Sequence, residues 1–283
     1  MNVHVASKPL LGDDKEFLMT ERDFDQISAL ALKHTGIVLG RHKANMVYGR
    51  IARRLRQLGY RTFAEYLSFL NDNFRDESTN FINLITTNLT SFFRESHHFD
   101  FLRDTVIPEL KSKSDKQIRI WSSGCSIGQE AYTIAFTLAE ANMSSSFDVK
   151  ILATDLDSNV LNTGHQGIYP ADSLMTVPDD IVEKYFEKNR SGNQVRVKKA
   201  MRELVHFKRL NLLEEWPMKG KFDVIFCRNV VIYFNRDTQK VLFNRFADYL
   251  PTGGYLIIGH SESLNGLTDR FKPVGNTIYQ KIY

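Results

Sequence analysis

The stretch Trp121-Ser-Ser-Gly-Cys-Ser-Ile-Gly-Gln-Glu130 closes an apolar run that begins at Ile118. Small residues at the carboxyl end of a first strand let a ligand approach the backbone, and ligands of open α/β sheets bind at such ends. A plain strand-to-helix turn has the same composition. The glycines stand at 124 and 128, so the dinucleotide spacing G-x-G-x-x-G is absent and a nicotinamide or flavin ligand is disfavoured. A second strand, Val149 to Asp155, ends in Ala-Thr-Asp-Leu-Asp157. An acid at that tip, about thirty residues after the glycine turn, is placed to accept hydrogen bonds from ribose hydroxyls. Asp157 equally suits the N-cap of the next helix. Taken together, the two signals point to a nucleoside-containing ligand.

Two further stretches carry polar groups without a regular period. Phe226-Cys-Arg-Asn229-Val-Val-Ile-Tyr233 runs off the end of a third strand and brings Asn229 and Tyr233 toward the substrate side of a sheet. Thr86-Thr-Asn88-Leu-Thr90-Ser-Phe-Phe-Arg94-Glu95 lies before the first strand, and Asn88, Thr90 and Arg94 suit a clamp on a ligand as well as a simple linker. His97 and His98 follow, but adjacent histidines without a carboxylate cluster lack metal-ligand spacing, and no metal is expected. Residues 41–64 hold Arg50, Arg53, Arg54 and Arg56 among other bases and not one acid. At helical spacing these arginines lie off the stripe Val47, Ile51, Leu55 and Leu58. A run of this kind is usually a solvated face; the missing acids favour an acidic partner.

Positioning these groups takes two kinds of element. From Asp23 to Leu89 the apolar spacing is helical. Phe24, Ile27, Leu30 and Leu32 open one helix, ended by Gly36; a second runs from Lys43 to Leu58; Thr62 caps a third. About four short helices make a domain over 1–85, with 86–116 as a linker contributing to the ligand site. From Gln117 onward strands alternate with helices over 117–283, which predicts a mostly parallel sheet covered on both faces. Near residues 169–205 the alternation breaks, and Ser191-Gly192-Asn193 reads as a turn in a small antiparallel insertion.

Length and composition bound the classes. The chain has 283 residues, 42% hydrophobic and 25% charged, which excludes disordered and fibrous classes. A net charge of +4 is too mild for a general nucleic-acid binder. No apolar run approaches the ~20 residues of a membrane span, and the N-terminus MNVHVASKPLLGDDKEF has no signal-peptide core. Two cysteines, Cys125 and Cys227, are too few for a disulfide framework, and a reducing cytoplasm is expected.

Five motifs in order, TTNLTSFFRE, WSSGCSIGQEAYT, ATDLD, RLNLL and IFCRNVVIYF, closely resemble the chemotaxis receptor methyltransferases, the CheR family. The match extends over nearly the whole chain. The resemblance implies a small all-α domain followed by a Rossmann-like domain with an antiparallel β-subdomain. It implies S-adenosylmethionine as methyl donor, S-adenosylhomocysteine as product, and glutamate side chains on the cytoplasmic methylation helices of chemotaxis receptors as acceptors. By position, it assigns Asn88, Thr90, Arg94, Glu130, Asp155, Asn211, Leu212, Asn229 and Val230 to the cofactor. Arg94 and Tyr233 fall beside the reacting groups, and Arg50, Arg53, Arg54 and Arg56 on the receptor-docking helix. The Asn/Asp-Pro-Pro-aromatic turn of amine methyltransferases is absent, so the acceptor is not expected to be a base amine. The turn NRSGNQ is a few residues shorter than in members that hold a receptor's C-terminal pentapeptide, so tethering by that route is not expected. A nicotinamide oxidoreductase should carry G-x-G-x-x-G, which is absent, and a DNA-binding module acting through the basic helix leaves the α/β domain unexplained.

Overall fold

The computed structural model describes residues 10–11 and 15–283; the N-terminal stretch inspected for a signal peptide lies largely outside them. The chain divides by its contacts into a helical unit, up to Thr87 together with Tyr233–Asn235, and a larger unit of Asn88–Ile232 and Arg236–Tyr283.

In the helical unit, α1 (Glu21–Thr35) begins with a capping box between Thr20 and Asp23 and stops at Gly36, whose φ of 73° is left-handed. Helix α2 (Ala44–Leu58) ends the same way at Gly59, and α3 (Phe63–Asp72) is capped reciprocally by Thr62 and Glu65. Helix α4 (Phe74–Ile85) completes the set. Phe24, Ile27, Ile51, Leu55, Phe63 and Tyr66 are fully enclosed in one core. Leu32, expected in the α1 stripe, is 45% exposed; Ala31, one position earlier, faces the core instead.

The larger unit opens with α5 (His97–Phe101) and α6 (Ile107–Lys111), joined by the wide turn Leu102–Val106. This corrects the expected linker at 86–116: Phe99, Leu102, Val106 and Ile107 are buried in the core of the larger unit. Strand β1 (Gln117–Ser123) is followed by α7 (Gln129–Glu140), α8 (Met143–Ser146), β2 (Asp148–Asp155) and α9 (Ser158–Gln166). Strands β3 (Ile168–Pro170), β4 (Phe186–Lys188) and β5 (Gln194–Val197) form a separate antiparallel sheet ordered β3-β5-β4, with α10 (Asp179–Tyr185) between β3 and β4. This is the insertion anticipated near 169–205. After α11 (Lys199–Arg202) come β6 (Val205–Arg209), β7 (Val224–Cys227), α12 (Arg236–Asp248), β8 (Tyr255–Ile258), β9 (Phe271–Gly275) and β10 (Ile278–Lys281).

The main sheet has the order β6-β2-β1-β7-β8-β10-β9. Strands β6, β2, β1, β7 and β8 run parallel, and β10 pairs antiparallel with β8 and β9. Its faces are covered separately: Ile118 and Ile120 join the cluster around Phe92 and Phe136, while Trp121 meets Trp216, Phe222 and Phe246. Chain order reverses across β1, with β2 on one side and β7 on the other. Open parallel sheets bind ligands at such a switch point.

Candidate functional site

Four adjacent parallel strands, β6, β2, β1 and β7, lead at their carboxyl ends into Asn211, Asp155, the Gly124 turn and Asn229. After β1 the backbone turns sharply, with the N–H groups of Gly124 and Cys125 both donating to the Thr154 carbonyl at 2.8 and 2.9 Å. The two glycines do not leave room for a ligand. A Cβ on Gly124 would stand 2.3 Å from Val230 Cγ2, and one on Gly128 2.8 Å from Phe207 Cζ. Their absent side chains let the neighbouring turn and ring pack closely, which revises the sequence-based reason for them.

Asp155 ends β2. Its carboxylate accepts the N–H groups of Ser126 (2.8 Å) and Asp157 (3.0 Å). A carboxylate has about four acceptor positions, so this pattern leaves acceptor capacity for a ribose hydroxyl. Burial pushes the Asp155 carboxyl up, and those backbone donors pull it back toward the charged form. Asp157 does cap α9, accepting from Asn159 N–H at 2.8 Å, and it also holds the Asn88 amide at 2.8 Å. The Asn88 carbonyl in turn accepts the Ser126 hydroxyl at 2.7 Å. Thr90 is half-buried, and Arg94 donates to the Leu89 carbonyl at 2.9 Å. On the far side, Asn211 accepts from Leu213 N–H and reaches Glu214, while the carbonyl of buried Leu212 accepts from Trp216 and Arg245.

Glu130, expected at the cofactor, sits in the first turn of α7. Its buried carboxylate takes the Ser122 hydroxyl at 2.6 Å and Arg228 Nη1 at 3.1 Å. Burial raises its carboxyl above the ordinary range, against the pull of Arg228. Arg228 also lies 3.6 Å from Glu95 and donates to the Arg94 carbonyl. Glu95 meets His260 Nδ1 at 2.9 Å and lies 3.6 Å from buried His98. Sequence reasoning missed Arg228, Glu95 and His98 as one buried polar network. A charged pair Arg94-Glu95 after two phenylalanines, and an arginine directly after Val224–Cys227, were the available signals.

The turn after β7 is held from behind. Asn229 is left-handed at φ 59°, and the N–H groups of residues 229–232 all donate to Glu262. Tyr233, expected on the substrate side of the sheet, groups by its contacts with the helical unit. Its carbonyl accepts Val38 N–H at 2.9 Å, and Lys43 Nζ stands 4.7 Å over its ring.

Within the helical unit the four arginines of α2 divide. Arg50 donates to the Leu84 and Thr86 carbonyls, and Arg54 grips buried Glu77 with two bonds of 2.8 and 2.6 Å. These two are spent internally, a correction to the uniform docking face. Arg56 is exposed and bonds Glu16 at 3.1 Å; Arg53 is exposed, with no ion-pair partner among the described residues.

Among the described residues no group of three or more His, Cys, Asp or Glu side chains is gathered as for a metal ion, and no helix is long and apolar enough to cross a membrane. Cys125 and Cys227 are both free and buried.

Residues 22–86 match the all-alpha domain of CheR methyltransferase, and residues 88–280 its SAM binding domain. The chain is 41% identical over 274 residues to chemotaxis protein methyltransferase 2 of Pseudomonas aeruginosa, covering 96% of each. It is 40% identical to the chemotaxis protein methyltransferase of Borreliella burgdorferi (88% of this chain, 90% of that one) and 39% to that of Escherichia coli (95% and 94%). With matched domains that meet where the contacts divide the molecule, and relatives aligned almost end to end, the chain belongs to the CheR methyltransferase family.

Proposed function

We propose that this protein transfers the methyl group of S-adenosylmethionine to glutamate side chains on the cytoplasmic methylation helices of chemotaxis receptors. The products are glutamate methyl esters and S-adenosylhomocysteine, and the reaction belongs to chemotactic adaptation in the cytoplasm. One observation carries the reading: four adjacent parallel strands bring Asp155, the Gly124 turn, Asn211 and Asn229 to one edge of the sheet at its switch point. The donor set fits the cofactor, since Asp155 keeps acceptor capacity for the ribose. In this reading Asn88, Thr90, Arg94, Asp155, Asn211, Leu212, Asn229 and Val230 line the cofactor, while Glu130 acts through Arg228 and Ser122.

The donor supplies an electrophilic methyl on a sulfonium. A glutamate carboxylate, with an ordinary pKa of about 4.3, is already ionised at neutral pH, so the chain need not provide a general base. Its work is positioning, which contributes up to roughly 7–11 kcal/mol in well-oriented systems. A tight arginine–carboxylate pair would hold the nucleophile back in the ground state. Arg94 is therefore assigned to the cofactor side and to steering, and Tyr233 to a hydrogen bond on one acceptor oxygen. Docking draws on the exposed arginines of α2. A pentapeptide tether forms no part of the reading, because only residues 189–193 join β4 to β5.

Calorimetry with S-adenosylmethionine, NAD and duplex DNA tests the cofactor, and only the first is expected to bind. Asp155→Ala should weaken that binding by roughly 1.5–3 kcal/mol with the fold retained; unchanged affinity removes Asp155 from the site. Labelled methyl incorporated into a receptor fragment should be released by mild base as methanol, the signature of an ester. A base-stable label would point to nitrogen as the acceptor.

A further inference from the structure

We propose that Glu262 is a positioning residue for the transfer reaction: its carboxylate sets the shape of the 229–232 turn and thereby the affinity for S-adenosylmethionine. The inference rests on the function proposed above. Glu262 follows β8, is 7% exposed, and accepts five backbone N–H groups. Oε1 takes those of Val230 (2.9 Å), Val231 (2.9 Å) and Ile232 (3.3 Å); Oε2 takes those of Asn229 (3.0 Å) and Gly259 (2.6 Å). Successive N–H groups converging from a left-handed residue form a concave anion site. Here the chain fills that site with its own acid.

The pattern requires a carboxylate. An amide would turn an NH2 toward converging donors, and a protonated acid would turn an O–H toward them. Burial pushes the Glu262 carboxyl up, while the N–H groups of Gly259, Asn229, Val230 and Ile232 pull it back toward the charged form. Close approach is built in on both sides of the turn. A Cβ on Gly259 would come within 2.6 Å of the Asn229 amide nitrogen, and one on Gly124 within 2.3 Å of Val230. Glu262 thus clamps the turn from β8 while Gly124 limits it from β1. The clamped residues include Asn229 and Val230, the pair proposed to touch the cofactor, although Glu262 itself is buried behind them.

The test compares wild type, Glu262→Gln and Glu262→Asp in the full chain, well below their unfolding midpoints. Cofactor affinity is measured by calorimetry and backbone exchange by deuterium labelling. Glu262→Gln should weaken S-adenosylmethionine binding by roughly tenfold or more. It should also speed exchange at residues 229–232 and 259 while β1 and β2 stay protected. Glu262→Asp keeps the charge with a shorter reach and should lose less affinity; if the glutamine variant does not fold, this variant carries the comparison. A merely structural role predicts a lower melting temperature with unchanged affinity in the folded protein. That result, or unchanged exchange at the turn, overturns the inference alone. Wild type failing to bind S-adenosylmethionine overturns the proposed function and the inference together.

Discussion

Each unit of the molecule buries a glutamate against an arginine, and the two pairs are built on opposite terms. In the helical unit Glu77 is 3% exposed and its oxygens are saturated by the Arg54 fork, the Asn80 amide at 3.0 Å and the Tyr66 hydroxyl at 3.1 Å. Burial pushes its carboxyl up, yet Arg54 and the other donors outweigh it and hold Glu77 below the ordinary range. In the larger unit Glu130 has one arginine nitrogen and one hydroxyl, and Arg228 is shared with Glu95. There burial wins and the Glu130 carboxyl is raised, while Arg228 Nε has no hydrogen-bond partner among the described residues. A saturated pair locks helices together. An under-satisfied one, wired to Arg94 and Glu95, is a stability cost of the kind that functional sites carry.

The largest effect should come from Arg228→Met, which strands two acids around a buried space and should cost about 3–5 kcal/mol in urea unfolding. Adding Glu130→Gln should recover part of that loss, so the double variant should be less destabilised than the sum of the singles. Glu77→Gln should cost less, up to about 3 kcal/mol, because the Arg54 side chain is 19% exposed and can turn to water. A greater loss from Glu77→Gln than from Arg228→Met would reverse the comparison.

Acid sharpens it further. Glu77, with a depressed folded pKa, contributes stability that is full above about pH 4.3 and is lost as pH falls through its folded value. Glu130, with a raised one, runs the other way and becomes less costly as pH drops. His98 belongs to the second network, and burial followed by Arg228 and His97 lowers its pKa from 6.5 to about 3. The folded state therefore favours neutral His98, and that contribution fades as pH falls from 6.5 toward 3. Between pH 7 and pH 5 it should amount to about 2 kcal/mol. His98→Asn should flatten urea-unfolding stability across that interval while Glu77→Gln leaves it alone; equal slopes in both variants would dissolve the distinction.

Local grammar made most of the architecture readable. Capping signals at Thr20 and Thr62, glycine stops at 36 and 59, and apolar runs at β1, β2, β7 and β8 act within a few residues. Strand β6 was missed because Val-His-Phe-Lys-Arg has too little apolar content to read as central, and it pairs only at the sheet edge. The candidate site was legible at Asp155 and Asn229, where chemistry sits at a strand end. It was not legible at Glu262 or Arg228, whose meaning depends on partners more than thirty residues away in sequence. The glycines at 124 and 128 were found for the wrong reason, since only the fold brings Val230 and Phe207 into the space above them.

The smallest stability effect tests the same contrast on the surface of α2, where internal and outward arginines alternate. Arg54 belongs to the saturated pair, whereas Arg53 and Arg56 are exposed and Arg56 pairs with surface Glu16. Reversing both outward charges, Arg53→Glu with Arg56→Glu, should change stability by no more than about 0.5 kcal/mol. Arg54→Glu should unfold the helical unit by setting two acids against each other. If α2 meets an acidic receptor helix, the outward double variant should depress receptor methylation strongly at low salt, chiefly through a slower association rate. The gap from wild type should close as salt rises, because screening shortens from about 10 Å at 0.1 M to about 3 Å at 1 M. S-adenosylmethionine affinity should not move, since its proposed residues all lie from Asn88 onward. Methylation that ignores the double reversal at every salt concentration would reduce α2 to a solvated face and confine its chemistry to the Arg54–Glu77 lock.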